Sequence, residues 1–129
     1  MLIRKLHEIN NSKNTIEGET WVSRRLLLAA DKMGFSMHDT ILHAGTTTKM
    51  QYKNHLEAVY CIAGKGEIHD LETDTKHTIE AGTLYALDKH DRHHLIAHTE
   101  LRMVCVFNPP LMGNETHDAD GSYPLQKTE

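Results

Sequence analysis

The sequence has little cysteine, which excludes one common way of stabilising a small fold. Its 129 residues include only two cysteines, Cys61 and Cys105, and no C-x-x-C spacing. Two cysteines do not make a disulfide framework. We therefore expect both thiols to be reduced and buried, where cysteine behaves as a small apolar side chain.

An excess of positive charge and long apolar runs are missing as well. The formal net charge is -4, which argues against a nucleic-acid partner because such binding surfaces are usually basic. Apolar runs such as residues 26–30 are far too short to cross a bilayer, and the first ten residues lack the apolar segment of a signal peptide. We expect a cytoplasmic protein with a small-molecule ligand and no membrane partner.

The length and composition fit one globular domain. Hydrophobic residues make up 39% and charged residues 25% of the chain, as in ordinary single domains. We expect one domain over residues 1–129, with an N-terminal segment at 1–20. The residues from 113 to 129 are polar and predict a tail that forms a loop or a lid.

Short β-prone runs indicate the fold class. Residues 35–42, 58–62, 83–87 and 101–107 are rich in aromatic or β-branched side chains, and glycine or proline turns separate them. Many short strands at close spacing predict an all-β sandwich or barrel with few short helices. One helix is expected at residues 24–32, although its apolar residues form a block rather than a stripe.

Strand alternation sorts the side chains of these runs into faces. The sets that share a face are Glu57, Val59 and Cys61; Thr83, Tyr85 and Leu87; Met103, Cys105 and Phe107; and Trp21 with Arg25. If the first three sets point inward, the interior is apolar and carries a few polar groups, with His93 just past a strand end. Small-ligand sites are usually built in this way.

Histidine is unusually abundant, with 11 residues. A surplus of histidine can reflect metal binding, proton transfer or neither, so the role of each histidine has to be inferred from its position in the sequence. The role of His38 stays undecided. We interpret the following as surface residues without a role: His7, His43, His69, His77 and His98.

Two spaced motifs carry the sharpest signal. The first cupin motif, G-x5-H-x-H-x3,4-E-x6-G, has the same gaps as Gly45, Gln51, Lys53, Glu57 and Gly64. The second, G-x5-P-x-G-x2-H-x3-N, has the same gaps as Gly82, Asp88, His90, His93 and Ala97. The chain therefore resembles the cupins, which implies an antiparallel, jelly-roll-like β-barrel. The motif glycines allow positive φ at the turns between strands.

The sequence departs from the first motif at both of its histidine positions, which reduces the number of metal ligands that the motifs supply. Cupins usually bind metal through two histidines and a glutamate of the first motif and a histidine of the second, but Gln51 and Lys53 occupy the first two positions. Glu57 and His93 are too few, because a catalytic metal normally has three protein ligands. Either a third ligand comes from elsewhere or no metal is bound. Tyr85 is the best candidate, since its strand enters the loop that carries His93 and phenolate oxygen suits iron.

Longer stretches narrow the resemblance to one family. Residues 21–28, 34–40, 54–62, 85–91 and 102–111 are similar to the ectoine synthases. These are cupin homodimers that dehydrate N-γ-acetyl-L-2,4-diaminobutyrate to the compatible solute ectoine, closing a six-membered ring. The resemblance implies a homodimer and a ferrous iron held by Glu57, Tyr85 and His93, which zinc can displace. It also implies catalytic positions at Tyr52 and His55, and substrate contacts at Trp21, Arg25, Thr40, Leu87, Phe107, Glu115 and His117.

Ring closure of such a substrate needs an activated carbonyl and a neutral amine. The α-amine attacks the acetamide of the same molecule, and a Lewis acid should polarise that poor electrophile. A base must deprotonate the amine, and Tyr52, His55 or Glu115 can serve. The oxygen leaves as water after protonation, for which His55 or His117 is available.

The positioning residues have plainer alternatives. Arg25 suits the substrate carboxylate through a charge-assisted fork, or forms a surface pair with Arg24. Trp21 and Phe107 wall the pocket, or are simply core residues. The tail closes as a lid that excludes water, or frays as chain ends usually do.

Two other functions stay open at this point. One is a different cupin enzyme, such as an iron dioxygenase or an isomerase, although the missing histidines of the first motif weigh against it. The other is a non-catalytic cupin that binds a small molecule.

Overall fold

The computed structural model describes residues 1–125, whose regular structure is mostly strand. The elements in chain order are α1 (Leu6–Ile9), β1 (Thr15–Glu17), β2 (Trp21–Leu27), a 3-10 turn (Ala29–Asp31), β3 (Ser36–Leu42), β4 (Thr46–Met50), β5 (Leu56–Ala63), β6 (Lys65–Asp70), β7 (Thr75–Glu80), β8 (Leu84–Leu87), β9 (His93–Ala97) and β10 (Leu101–Asn108). The all-β prediction is confirmed.

Two antiparallel sheets share one apolar core. The six-stranded sheet has the order β1-β2-β3-β10-β5-β8, and the four-stranded sheet has the order β4-β9-β6-β7. The core takes side chains from both sheets, among them Val59, Cys61, Leu101 and Met103 from the first and Ile68, Ile79, Leu95 and Ala97 from the second. Each sheet therefore buries one face against the other.

The register of the six-stranded sheet arranges its inward side chains in four rows across the strands. The first row is Ser36, Phe107, Glu57 and Leu87, and the second is Arg25, His38, Cys105, Val59 and Tyr85. The third row is Ser23, Thr40, Met103 and Cys61, and the fourth is Trp21, Leu42 and Leu101. Polar groups are confined to the first three rows, while the fourth is apolar.

The predicted inward faces are confirmed by burial. Along β5 the burial alternates, so that Glu57, Val59 and Cys61 are buried while Leu56, Tyr60 and Ile62 are exposed. Along β10 the same alternation buries Met103, Cys105 and Phe107. Both cysteines are free and buried, as expected.

The helix expected at residues 24–32 is wrong. β2 continues to Leu27 and is followed by the short 3-10 turn. β2 pairs with β1 on one side and with β3 on the other, and these ladders outweigh the local helix preference of the leucine block. In residues 1–125 the one α-helix has four residues, and no helix there is long and apolar enough to cross a membrane.

The other strand predictions agree with β3, β5, β8 and β10 to within one or two residues at each end. The sequence did not predict the six remaining strands. β7 shows why, because only one of its six residues is buried and a strand with no buried face lacks the alternation by which strands are recognised.

The motif glycines lie at turns with positive φ, as predicted. Gly64 has φ of 97° and Gly82 has φ of 91°, a conformation that costs other residues energy. They differ in their surroundings: a Cβ at Gly64 would lie 2.1 Å from the carbonyl oxygen of Glu100, whereas a Cβ at Gly82 would meet nothing within 4 Å.

This difference predicts unequal losses of stability. Gly82→Ala should lower the free energy of unfolding by about 1 kcal/mol, the cost of a left-handed alanine. Gly64→Ala should cost about 3 kcal/mol, because a backbone clash adds to the same strain. Urea unfolding of both variants measures the difference, and equal losses would contradict the close approach to Glu100.

Candidate active site

A small cavity lies between the sheets among the polar rows. Its volume is about 30 Å³. The cavity is lined by Trp21, His38, Thr40, Leu42, Met50, Tyr52, Glu57, Tyr85, Leu95, Met103, Cys105, Phe107, His117 and Tyr123. The wall is largely apolar with a few convergent polar groups, which is how small-molecule sites are usually built.

The carboxyl group of Glu57 is buried in the cavity wall, with 7% of the residue exposed. Burial raises its pKa to about 8, and a hydrogen bond from the Cys105 thiol lowers it in part. Burial also raises the pKa of the Cys105 thiol well above its ordinary value, so the thiol keeps its proton, while Thr40 hydrogen-bonds to the sulfur. Glu57 is thus a carboxyl group whose charge has little compensation from the protein.

The hydroxyl group of Tyr85 has only a weak partner. It lies 3.9 Å from the sulfur of Met103, and a thioether is a poor acceptor. Burial raises the pKa of this phenol well above 10, and the nearby carboxyl of Glu57 raises it further.

The imidazole of His93 presents a free lone pair. Its Nδ1 lies 2.9 Å from the carbonyl oxygen of Asp91, so Nδ1 carries the hydrogen and donates it. Nε2 is then the unprotonated nitrogen, and it is buried without a hydrogen-bond partner. Burial lowers the pKa of His93, which favours the neutral form. A histidine whose Nδ1–H bonds a backbone carbonyl is held as metal-binding histidines usually are.

These three groups fit a metal site by their chemistry. Glu57 and Tyr85 line the central cavity, while Tyr85 and His93 line a second groove beside β7 and β8, so Tyr85 belongs to both. Within residues 1–125 no three His, Cys, Asp or Glu side chains are grouped to hold a metal. A metal here would therefore need a ligand of another type, and the phenol oxygen of Tyr85 is a group of that kind.

Tyr52 and His117 form a hydrogen-bonded pair in the cavity wall. The Tyr52 hydroxyl lies 2.8 Å from His117 Nε2 and 3.5 Å from the Met50 sulfur. Burial raises the pKa of Tyr52 well above 10 and lowers the pKa of His117 to about 4. At neutral pH both groups are uncharged, and a proton can pass along their hydrogen bond.

Arg25 holds the start of the tail and does not line the cavity. Its guanidinium donates to the carbonyl oxygens of Gly113 and Glu115 at 2.9 and 2.7 Å. The Glu115 carboxylate accepts from the N–H groups of Met112 and Gly113 at 2.7 and 2.8 Å. Both side chains are buried and lie 3.9 Å apart. Arg25, which was predicted to bind the substrate, and Glu115, which was predicted as a base, thus use their hydrogen-bonding groups to hold the start of the tail.

The rest of the tail covers the cavity and supplies a residue that the sequence analysis missed. Tyr123 is buried, stacks on Tyr52 with ring centroids 5.1 Å apart, and lies 5.6 Å from the Arg25 guanidinium. Its carbonyl accepts from Asn54, and the carbonyl of Gly121 accepts from the Gln51 N–H. The only sequence signal for Tyr123 is an aromatic residue in a polar tail.

His38, which the sequence left undecided, belongs to the cavity wall. It is buried between two serines, with Nδ1 3.4 Å from the Ser23 hydroxyl and Nε2 3.1 Å from the Ser36 hydroxyl. Ser23 also accepts from Arg25 Nε at 3.3 Å. Burial, followed by the charge of Arg25, lowers the pKa of His38 well below 6.5. A neutral His38 therefore links the cavity wall to the arginine that holds the tail.

The remaining predicted residues divide into two groups. Trp21, Thr40 and Phe107 line the central cavity. Leu87 lines only the groove beside β7 and β8. His55 lines neither, although its buried ring lies edge-on to Phe107 at 5.9 Å and its Nδ1 has no hydrogen-bond partner.

Comparison with known proteins gives the family of the whole chain. A model of the ectoine synthase family matches residues 1–127. The L-ectoine synthase of Desulfatibacillum aliphaticivorans is 59% identical over 127 residues, which cover 97% of this chain and 98% of that protein. The chain belongs to the ectoine synthase family. The crystal structure of ectoine synthase from P. lautus covers 100% of this chain and 94% of its own, with a TM-score of 0.88 and 50% identity.

The membership in the ectoine synthase family confirms the resemblance seen in the sequence. A cupin 2 conserved barrel domain protein from Salinispora arenicola is more distant, with a TM-score of 0.67 and 18% identity over 83% of this chain and 87% of that one. At this identity the likeness concerns the fold alone, and it confirms the predicted cupin barrel.

The raised pKa of Glu57 predicts how pH affects the metal-free protein. A carboxyl with a pKa of 4.5 when unfolded and about 8 when folded binds more protons in the folded state between these values. The contribution of Glu57 to the free energy of unfolding should therefore fall as pH rises through this window, by about 1 kcal/mol per pH unit. The buried histidines, whose pKa values are lowered, act in the opposite direction below about pH 6.5, so a variant that lacks only the Glu57 carboxyl is needed for comparison. Urea unfolding with a chelator at pH 5 and pH 8 measures this fall.

Glu57→Gln is the matched control, because it keeps every other titrating group. The stability of wild type relative to this variant should decrease from pH 5 to pH 8. A constant difference would show that Glu57 keeps an ordinary pKa.

Proposed function

We propose that this chain is a hydro-lyase that closes N-γ-acetyl-L-2,4-diaminobutyrate into ectoine with loss of water. The observation that carries the proposal is the match to L-ectoine synthases over nearly the full length of both chains. The cavity supports it, because a dehydration proceeds best where bulk water is excluded and this cavity is narrow, with a volume of about 30 Å³.

We propose ferrous iron as the resident cofactor, held by Glu57, Tyr85 and His93. The free lone pair of buried His93 Nε2 supports this assignment, as does the buried carboxyl of Glu57, which has the Cys105 thiol as its partner. When bound, such a metal supplies a Lewis acid that polarises the acetamide carbonyl. Zinc can take its place during purification, because it follows iron in the Irving–Williams order.

The pair of Tyr52 and His117 is well suited to proton transfer. Ring closure forms a bond from the α-amine nitrogen to the acetamide carbon and breaks that carbon's bond to oxygen, and two protons pass from the amine to the departing oxygen. Tyr52 can give its proton to the oxygen and regain one from His117 Nε2 across their 2.8 Å contact, while neutral His117 accepts the amine proton at its other ring nitrogen; two such cycles carry both protons. Glu115 and His55 are less favoured for these roles, because neither lines the cavity.

The carboxylate end of the substrate requires positive charge, and the Arg25 guanidinium lies 5.6 Å from the ring of Tyr123, which lines the cavity. Because its donors engage the carbonyls of Gly113 and Glu115, binding a carboxylate means exchanging one of these bonds. Trp21, Thr40 and Phe107 line the cavity and would hold the substrate folded, which supplies much of the rate of an intramolecular reaction.

The tail acts as a lid in this proposal. A volume of about 30 Å³ is far below that of a usual ligand pocket, so residues 113–125 must open for entry. These residues have no regular secondary structure; they are held by hydrogen bonds to Arg25 and Asn54 and by the ring contacts of His117 and Tyr123. Loop opening of this kind is the usual way in which an enzyme admits its substrate and then excludes water.

We also propose a homodimer that covers two exposed apolar features. β8 is an edge strand whose outer face exposes Leu84 by 64%, beside Tyr60 at 47% on β5. The N-terminal segment exposes Leu2 and Ile3 by 57% and 76%. Unprotected edges with apolar side chains tend to pair with another chain. In a twofold-symmetric dimer, the N-terminal segment of each chain would contact β8 of the other chain, so the same contact would occur twice.

Anaerobically purified protein tests the enzyme and its metal together. Loaded with ferrous iron and given N-γ-acetyl-L-2,4-diaminobutyrate, it should form the ring product, observed by NMR. Glu57→Ala and His93→Ala should each lower the bound iron at least tenfold, as loss of a ligand does, and Tyr85→Phe should also lower it.

His94→Ala is the matched control, since His94 neighbours His93 on β9 but points to the other side of the strand. It should keep its iron and its activity. Unchanged iron in all three ligand variants would exclude this ligand set, and no turnover by fully loaded wild type would exclude the reaction.

Sedimentation analysis tests the dimer. Wild type should have twice the chain mass of 14.7 kDa. Leu84→Lys should shift the protein to monomer, because it places a charge on the apolar edge. Met33→Lys alters an equally accessible methionine after the 3-10 turn and should stay dimeric, whereas a dimer of unchanged affinity in Leu84→Lys would contradict the proposed contact.

A further inference from the structure

The cavity has an apolar wall to which no role has been given. Besides Phe107, four of its lining residues offer no strong hydrogen-bonding group: Leu42, Met50, Leu95 and Met103. Met103 lies in the third row of the six-stranded sheet and Leu42 in its fourth, while Met50 and Leu95 come from the four-stranded sheet. We call these four residues the apolar wall.

The apolar wall lies next to the groups proposed for chemistry. The sulfur of Met103 lies 3.9 Å from the hydroxyl of Tyr85, and the sulfur of Met50 lies 3.5 Å from the hydroxyl of Tyr52. A substrate oxygen polarised beside Tyr85 therefore has Met103 as an immediate apolar neighbour.

The chemistry of the substrate indicates which of its two ends packs against the apolar wall. Its amino-acid end carries an ammonium and a carboxylate, which are costly to place against apolar side chains without partners. Its other end is an acetyl group, in which the methyl group and the reacting oxygen are bonded to the same carbonyl carbon. With the oxygen beside Tyr85, the methyl falls next to Met103.

We infer that Met103, supported by Leu42, Met50 and Leu95, receives the acyl methyl group and restricts the enzyme to N-acetyl substrates. This inference rests on the proposed ring closure. Because these four side chains belong to the buried core and packed interiors yield little, an acyl chain longer by one carbon has no space beside Met103 unless one of these side chains is shortened.

A competition between two substrates tests the inference. Iron-loaded enzyme receives the N-γ-acetyl and N-γ-propionyl forms of L-2,4-diaminobutyrate, and both ring products, methyl or ethyl at the same carbon, are measured by NMR. Wild type should prefer the acetyl form by about 10- to 200-fold in kcat/KM, the range that one methylene gives in an apolar pocket. Met103→Ala should reduce this preference at least tenfold by raising kcat/KM for the propionyl form.

Two variants separate specificity from stability. Leu101→Ala removes a buried side chain two residues away on the same face of β10, but Leu101 does not line the cavity, so the preference should stay at the wild-type value. Met103→Leu nearly preserves volume and should also keep it. If Met103→Ala does not fold, Met103→Val makes the same test with a smaller change in volume.

The outcomes distinguish this inference from the proposed function. Turnover of the acetyl form by wild type with the same preference in Met103→Ala would overturn the inference alone. Parallel loss of both activities at an unchanged ratio would do the same. No turnover of either form by loaded wild type would instead remove the ring-closure proposal on which the inference rests.

Discussion

The carboxyl group of Glu57 sits inside two packed sheets with a thiol as its hydrogen-bond partner, and the rest of the site depends on how that group is compensated. Its pKa of about 8 means that the interior favours a proton, or another positive charge, at this position. His93 offers a lone pair from the four-stranded sheet, and Tyr85 offers an oxygen from the strand next to Glu57. A cation held by all three would relieve the cost of the carboxylate.

The sequence predicted the part of the site that strand alternation controls. Alternation is local, so period 2 alone places Cys105 and Phe107 on one face of their strand and Glu57 on one face with Val59, and burial shows that both faces point inward. The motif spacing placed the glycines at turns, where Gly64 and Gly82 have the expected positive φ. It also led to the family, which full-length matches confirm.

The sequence did not predict what long-range contacts control. Arg25 lies 88 and 90 residues from the carbonyls to which it donates, and no local pattern reports such a contact. In the sequence Tyr123 looks like an ordinary tail residue, and only the structure shows that its ring stacks on Tyr52. The error at β2 has the same origin, since pairing with two neighbouring strands decided the conformation of its leucine block.

The interior of this fold is rich in sulfur, because Met50, Met103 and Cys105 all border the cavity. Peroxide converts a thioether to a polar sulfoxide and a thiol to its oxygenated acids, and either product would put new polarity against the groups that hold the substrate. As the lid proposed above, the closed tail would protect these sulfurs from peroxide as well as excluding bulk solvent. Inactivation by peroxide becomes a measure of how often the tail opens, and a tightly bound ligand should slow it.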